Sequence, residues 1–347
     1  MEPEAATSET STGLTMASPQ QAYLRAQLEQ RYDRLESAIQ AATAETQAAP
    51  ATPSLSNLLG EVDAALERMD AGTYGLCETC HDTIEADRLL ANPLEQFCLD
   101  HLTNEERRAL ESDLLLAAQI QQKLLPARTF APKGWHVRYH YAPARVVSGD
   151  YCDVFESKAG LVFLLGDVSG KGIAASMLMS HLHATFRSLA DAELPLDRMV
   201  GVANRIFAES TMAGQFATLV VGRATHEGAV EIVSAGHLPL LHLCAGETKS
   251  QGATGVPLGM FPNTTFPVFS FSIQAGDSLL IYTDGLTEAR NGKDEEYGLH
   301  RVKAVADRHG NKAPSELISN CLADLHSFTA GAKPTDDLTL LALQRAA

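Results

Sequence analysis

The chain is short of positive charge. Against 43 acidic residues it carries 27 lysines and arginines, a formal net charge of −16 over 347 residues. Binding nucleic acid means neutralising phosphates with excess lysine and arginine, so this balance excludes a nucleic-acid surface. A polyanionic ligand has to be met through metal or a local basic site. Long apolar runs are also missing. Stretches such as LVFLLG at 161–166 fall far short of the roughly 18 residues that span a bilayer, so no membrane partner is expected. The opening MEPEAATSETSTGL lacks the charged-then-apolar order of a secretory signal, which predicts a cytoplasmic protein. In that compartment the six cysteines stay reduced and are more often metal ligands than disulfides. The rest of the composition, 45% hydrophobic and 20% charged, is that of a globular chain with room for one large domain and a smaller module.

Residues 1–20 are rich in Ser, Thr, Ala and Glu and have few large apolar side chains to repay ordering, which predicts a disordered tail. Leu28, Tyr32, Leu35, Ile39 and Ala42 then recur in steps of four and three. Leu55, Leu59, Val62, Leu66 and Met69 repeat the pattern after AAPATPS. Two amphipathic helices joined by a proline-containing turn predict a helical hairpin over 21–71.

The segment 72–102 is short, turn-rich and cysteine-bearing. Cys77 and Cys80 form one Cys-x-x-Cys knuckle, and Cys98 with His101 forms a second pair of the same spacing. Two knuckles separated by a loop supply four ligands for tetrahedral zinc; His81 breaks the pairing. Zinc binding on the order of 10 kcal/mol would supply the folding free energy that so small a segment cannot obtain from burial. The run ALERMDAGTYGLCETC, then RLLANP, then the second knuckle resembles the DksA/TraR-type zinc ribbons over about 55–102. His101 stands where that family usually has a cysteine. The resemblance also implies paired aspartates at the hairpin tip of relatives that act on RNA polymerase. Here AATAETQAAPATPS offers only Glu45, which favours a structural or sensing role.

Over 103–126 the chain reads as a linker helix about 33 Å long, opened by a capping box, Thr103 with Glu106, and stopped by Pro126. Leu110, Leu114, Ala117, Gln121 and Leu124 fit a heptad seam. Such a seam suits either packing against its own domain or a homodimer.

From 127 to 347 strand-like runs dominate: WHVRYHY, GLVFLLGDV, ATLVVGRA, AVEIVSA, LPLLHLC, DSLLIYTDG and LTLLALQ, with helical stretches between them. This predicts an α+β domain with a layered sheet core. Acidic motifs sit beside these runs: SGDYCDVF at 148–155, GDVSGKG at 166–172, YTDGLTEA at 282–289 and TDDLTLL at 335–341. Two carboxylates about 4 Å apart repel by on the order of 4 kcal/mol at an effective dielectric of 20, so converging aspartates call for a cation. Oxygen ligands favour magnesium or manganese. GDVSGKG is not a nucleotide-binding phosphate loop, because its glycine spacing is one residue short and Gly172 follows Lys171.

The ordered series QIQQKLLP, YAPARVVSGDYCDVF, LLGDVSGKGIAASMLM, FATLVVG, SAGHLPLL, GVPLGM, GDSLLIYTDGLTEARN, YGL and PTDDLTLLAL resembles the SpoIIE/RsbU-like branch of the metal-dependent protein phosphatases, the protein phosphatase 2C class. That resemblance implies an α-β-β-α phosphatase sandwich, preceded here by the hairpin, the zinc ribbon and the linker helix. It implies two manganese or magnesium ions held by Asp150, Asp167, the Val168 carbonyl, Asp284 and Asp336, besides one structural zinc. Asp337 is a supporting residue, Asp153 lies near the strand end, and Arg145 is a candidate phosphate-binding residue. His140, His181, His183 and His237 are candidates for acid–base work, each more often structural. Two cations can acidify a shared water and neutralise phosphoryl charge during in-line attack, with no protein nucleophile. The implied substrate is a phosphorylated anti-sigma-factor antagonist, with the N-terminal region controlling activity through the linker helix. A non-catalytic regulator that uses the zinc ribbon to bind a protein partner is the alternative, and a zinc or thiol switch a third reading.

Overall fold

The structure is a computed structural model that describes residues 18–45, 53–101, 104–127, 130, 132–158, 160–212, 214–244 and 247–346. Most of the expected tail, the tip of the hairpin and Thr103 lie outside these residues, as do the side chains of Ala42 and Glu106. The chain divides into two compact units, 1–111 and 112–347.

In the first unit, α1 (Ser18–Glu45) and α2 (Pro53–Asp70) are joined through Leu24, Leu28, Val62, Ala65 and Met69, all buried. The apolar stripe therefore begins one turn earlier than the periodicity indicates. Pro53 opens α2 rather than sitting in the turn, because its missing N–H costs nothing at a first helical position. Cys77, Ile84, Leu89 on α3 (Ala86–Ala91) and Cys98 belong to the same core. The zinc-ligand segment is thus packed on the hairpin's own apolar stripe.

Helix α4 (Asn104–Leu124) carries the chain from the first unit into the second and ends two residues before Pro126, whose ring disfavours helix in the residue before it. Of its seam, Gln121 is buried and Leu124 packs on the second unit's core. Leu115, Leu116 and Ile120 are exposed instead.

The second unit holds two five-stranded antiparallel sheets. One runs β1-β10-β9-β6-β7, from β1 (Trp135–Ala142), β10 (Leu338–Arg345), β9 (Ser278–Tyr282), β6 (Leu240–Cys244) and β7 (Glu247–Gln251). The other runs β2-β3-β4-β5-β8, from β2 (Asp150–Ser157), β3 (Gly160–Val168), β4 (Ala217–Ala224), β5 (Ala229–Ala235) and β8 (Phe269–Ser272). Side chains alternate across each strand, and in β3 both faces are covered. Leu161, Phe163 and Leu165 meet Ile281, Leu341 and Leu343 of the other sheet, while Val162 and Leu164 pack with α5 (Ile173–Ala190) and α6 (Leu196–Ser210). Two-sided burial is why that strand reads as an unbroken apolar run. On the far side, α8 (Gly298–His309) and α9 (Pro314–Thr329) cover Leu241, Leu280 and Leu340. The layers are helix, sheet, sheet, helix.

Candidate active site

Strand ends deliver the acids to one end of the sandwich. Asp150 opens β2 and is the register partner of Asp167 near the end of β3, which in turn pairs with Thr218 on β4. Asp284 begins the one-turn helix α7 (Asp284–Thr287) just after β9, and Asp336 lies two residues before β10. Asp167, Asp284 and Asp336 line a single cavity of about 490 Å³, together with Glu288, Lys171 and His237. Asp150 does not line it. It sits beneath, 1% exposed, where its Oδ2 accepts hydrogen bonds from Thr283 Oγ1 (3.0 Å) and Thr339 Oγ1.

Electrostatics in the pocket favour a cation. Burial and then the charges of Asp284, Asp336 and Asp337 push Asp167 up to about 7. Asp284 is raised by burial and by Asp336 and Glu288, and Asp150 by burial and Asp167. Each rise reports a carboxylate whose charge is opposed by its surroundings. Lys171 partly answers this, donating from Nζ to Asp336 Oδ2 at 2.8 Å and to the Thr335 carbonyl at 3.2 Å. Arg145 is exposed on the loop after β1, and its charge acts on Lys171. The backbone at Gly149 is shaped to the same end: a Cβ there would stand 2.9 Å from the Val168 carbonyl oxygen and 3.1 Å from Asp167 Oδ1. The oxygen donors that line the cavity, those of Asp167, Asp284 and Asp336, suit hard divalent cations, while Asp150 and Val168 do not line it.

Asp337 has a different task. Its Oδ1 accepts the Ala144 N–H at 2.7 Å and its Oδ2 the Gly149 N–H at 3.1 Å, so both oxygens hold the loop 144–149. Asp153 is not near a strand end; it is fully buried in mid-β2, gripped by Arg187 of α5 through Nε (2.6 Å) and Nη2 (2.7 Å). Strand alternation turns it to the helix layer, away from the acid pocket.

The histidines separate in the same way. His183 stands 3.4 Å from Asp153, His181 is beside Phe207, and His140 lies on β1 opposite Leu340. None of these three lines the acid cavity. His237 does, and it is 4% exposed. The Tyr282 carbonyl, 3.0 Å from Nε2, can only accept, so the proton is on Nε2, and Nδ1 accepts from the Thr218 hydroxyl at 2.9 Å. Burial lowers His237 to about 4. A neutral imidazole thus ties β4 of one sheet to β9 of the other, two residues before Asp284. Sequence reasoning missed Glu288, although it lies in the YTDGLTEA motif, and the hydroxyls of Thr283 and Thr339, whose role depends on strands being brought together.

The first unit contains the tighter metal-ligand set. The ligand atoms of Cys77, Cys80, Cys98 and His101 all lie within 4.8 Å of one another, and among the described residues no other Cys, His, Asp and Glu group of three or more is as compact. Cys80 Sγ is 3.8 Å from Cys98 Sγ, and Cys98 Sγ is 3.2 Å from His101 Nδ1. A zinc–sulfur bond of about 2.3 Å gives a tetrahedral edge of about 3.8 Å, so the four atoms fit zinc as they stand. The aspartates are spread more widely.

A sequence model of the family described as Stage II sporulation protein E (SpoIIE) matches residues 157–346, more than half of the chain. The chain belongs to the SpoIIE family. A second model, the prokaryotic dksA/traR C4-type zinc finger, matches residues 72–100. Among curated relatives, Protein IcfG of Synechocystis sp. is 29% identical over 257 residues, covering 65% of this chain and 40% of its own length. Phosphoserine phosphatase RsbU of Bacillus subtilis is 26% identical over 247 residues, covering 69% of this chain and 72% of RsbU. The chain thus spans well under two thirds of IcfG. Among solved structures, the SiaA-PP2C domain of Pseudomonas aeruginosa superposes with a TM-score of 0.61 at 16% identity, over 69% of this chain and 98% of that domain. The SpoIIE-family unit therefore has the PP2C phosphatase fold. Among the described residues, no helix is long and apolar enough to cross a membrane.

Proposed function

We propose that the protein is a metal-dependent phosphatase acting on phosphoserine or phosphothreonine of a regulatory protein. The observation that carries this reading is the convergence of Asp167, Asp284 and Asp336 on one cavity, with Asp150 paired to Asp167 beneath it. Two manganese or magnesium ions would be held by Asp150, Asp167, the Val168 carbonyl, Asp284 and Asp336. Bound there, they supply an acidified water and neutralise phosphoryl charge. Lys171, half-exposed on Asp336, is free to turn a donor to a phosphoryl oxygen, and Arg145 adds a second positive charge whose field reaches Lys171. His237 contributes no proton near neutral pH, since its one N–H is committed to Tyr282 and it protonates only at about 4. The leaving seryl oxygen takes its proton from water in the open pocket.

RsbU, a relative by sequence, is a phosphoserine phosphatase. By analogy within the family, the substrate here is a phosphorylated anti-sigma-factor antagonist in a bacterial partner-switching circuit. The zinc-bearing unit, one structural zinc on Cys77, Cys80, Cys98 and His101, acts as sensor or assembly module. Exposed Leu115, Leu116 and Ile120 on α4 supply the face for a homodimer. The test is manganese-dependent phosphate release from a phosphoserine protein by the full chain and by Asp167→Ala. Loss of at least a hundredfold in the variant is expected, and an inactive wild type or a fully active variant would refute the reading.

A further inference from the structure

We propose that Gln121 is a positioning residue through which helix α4 sets the loop 144–150, and with it Asp150 and the Val168 carbonyl. The inference deepens the phosphatase reading and rests on it for what the loop is for. Gln121 occupies a seam of apolar residues, yet it is polar and 4% exposed. Its carboxamide is devoted to one residue. Nε2 donates to the Ser148 carbonyl at 2.7 Å, and Oε1 accepts the Ser148 N–H at 3.1 Å. A side chain here makes the two-bond exchange that a neighbouring antiparallel strand would make.

Ser148 passes the constraint on. It is fully buried, and its hydroxyl accepts the Asp150 N–H at 3.0 Å. Asp337 clamps Ala144 and Gly149 from the other side, and the Gly149 carbonyl takes the Val168 N–H at 3.3 Å. A Cβ at Gly149 would stand 2.9 Å from Val168 O and 3.1 Å from Asp167 Oδ1, so the loop backbone lies close to those oxygens and its position bears on theirs. Three links therefore run from the helix to the acids: Gln121 to Ser148, Ser148 to Asp150, and Gly149 to Val168.

The arrangement reads the register of α4. A slip of one residue translates the helix about 1.5 Å and turns it about 100°, which carries Gln121 out of reach of Ser148. The N–H and C=O of Ser148 then lose their partners together. The same helix brings the chain out of the zinc-bearing unit, so a change there that turns or shifts α4 arrives at Gln121 first. A cavity of about 730 Å³ lies beside Gln121, lined by the end of α4 and by β1, and leaves the Gln121 side chain room to move away from Ser148. Loss of the bonds then loosens the loop without unfolding the domain.

The experiment uses the full chain and two substitutions: Gln121→Met, near in shape but without hydrogen bonds, and Gln121→Glu, which keeps the acceptor and removes the donor. Manganese affinity is titrated without substrate, and amide exchange is read at Ser148, Gly149 and Asp150. Melting temperature and the kcat and KM for a phosphoserine protein complete the comparison. Two lost neutral hydrogen bonds predict manganese binding weaker by on the order of tenfold in Gln121→Met, with faster exchange at 148–150 and a melting temperature lowered by several degrees in a protein that still folds. At saturating manganese kcat falls and KM changes little. Gln121→Glu follows the same direction. Manganese affinity within about twofold of wild type with unchanged protection at 148–150 overturns the proposal. So does failure of both variants to fold, which assigns Gln121 to stability alone. A wild type that binds manganese but releases no phosphate refutes the phosphatase reading and leaves the affinity and exchange comparison intact.

Discussion

Without metal, the SpoIIE-family unit should lose stability as pH rises. Asp167 is pushed from an ordinary value of 3.8 to about 7. Between those values the folded protein holds a proton that the unfolded chain has released, so stability is greatest at the acid end and falls as pH climbs towards 7. At about 1.36 kcal/mol per tenfold change in proton affinity, the rise corresponds to roughly 4 kcal/mol. Partial contact with the open pocket screens part of this, and we take about 2–4 kcal/mol. For a unit of this size each kcal/mol moves the melting temperature by about 2–4 °C, which gives a fall of roughly 4–16 °C between pH 4.5 and 7.5. Asp284 and Asp150, both raised, act in the same direction. The assay is thermal unfolding in chelator across that range, for wild type and Asp167→Asn, with and without manganese. General acid effects are shared by the two proteins, so the difference between them isolates Asp167. The variant should show the shallower decline, and manganese should restore the wild type most at the higher pH. Equal pH slopes in wild type and variant would show that Asp167 carries no opposed charge and would remove the electrostatic argument for a cation.

Two more predictions concern His237 and the zinc ligands. His237→Leu should cut the connection between Thr218 and the Tyr282 carbonyl and lower kcat at saturating manganese by about tenfold or more, whereas His237→Gln, with one donor and one acceptor, should recover part of it; equal activity in both variants would dismiss the cross-sheet tie. Chelation of zinc, followed by amide exchange, should expose residues 72–101 first, because their four ligands replace a core too small to hold itself. Protection there that survives a strong chelator would rule zinc out as the staple.

What could be read from the sequence tracks how local each interaction is. Cys77, Cys80, Cys98 and His101 announce their site because both halves are knuckles of fixed spacing. Strand β3 was legible from its apolar run, and Asp167 from its place at the strand's end. Strand β2 offers no apolar run of its own, since DYCDVFES contains two aspartates, one of which is balanced by an arginine 34 residues away on α5; a strand near Asp153 was legible, its extent was not. The short strands β7 and β8 carry few buried side chains and so leave little hydrophobic signal. Gln121 was counted in a heptad seam because periodicity reports which face is buried, and cannot say that a polar residue on that face has found a backbone to bond. His237 had a motif but no chemistry until the two sheets brought Thr218 and Tyr282 to either side of its ring.

Neighbouring carboxylates at 336 and 337 are not spares for one another. The first faces the cavity, and the second spends both oxygens on amide hydrogens of a distant loop. An asparagine at 337 would turn an NH2 group against one of those amides, so even the smallest change of side chain there would slacken the loop while leaving the cavity's own acids in place. A chain that kept 336 and altered 337 would hold its ligands and lose their alignment, and would look intact in any survey that counts aspartates.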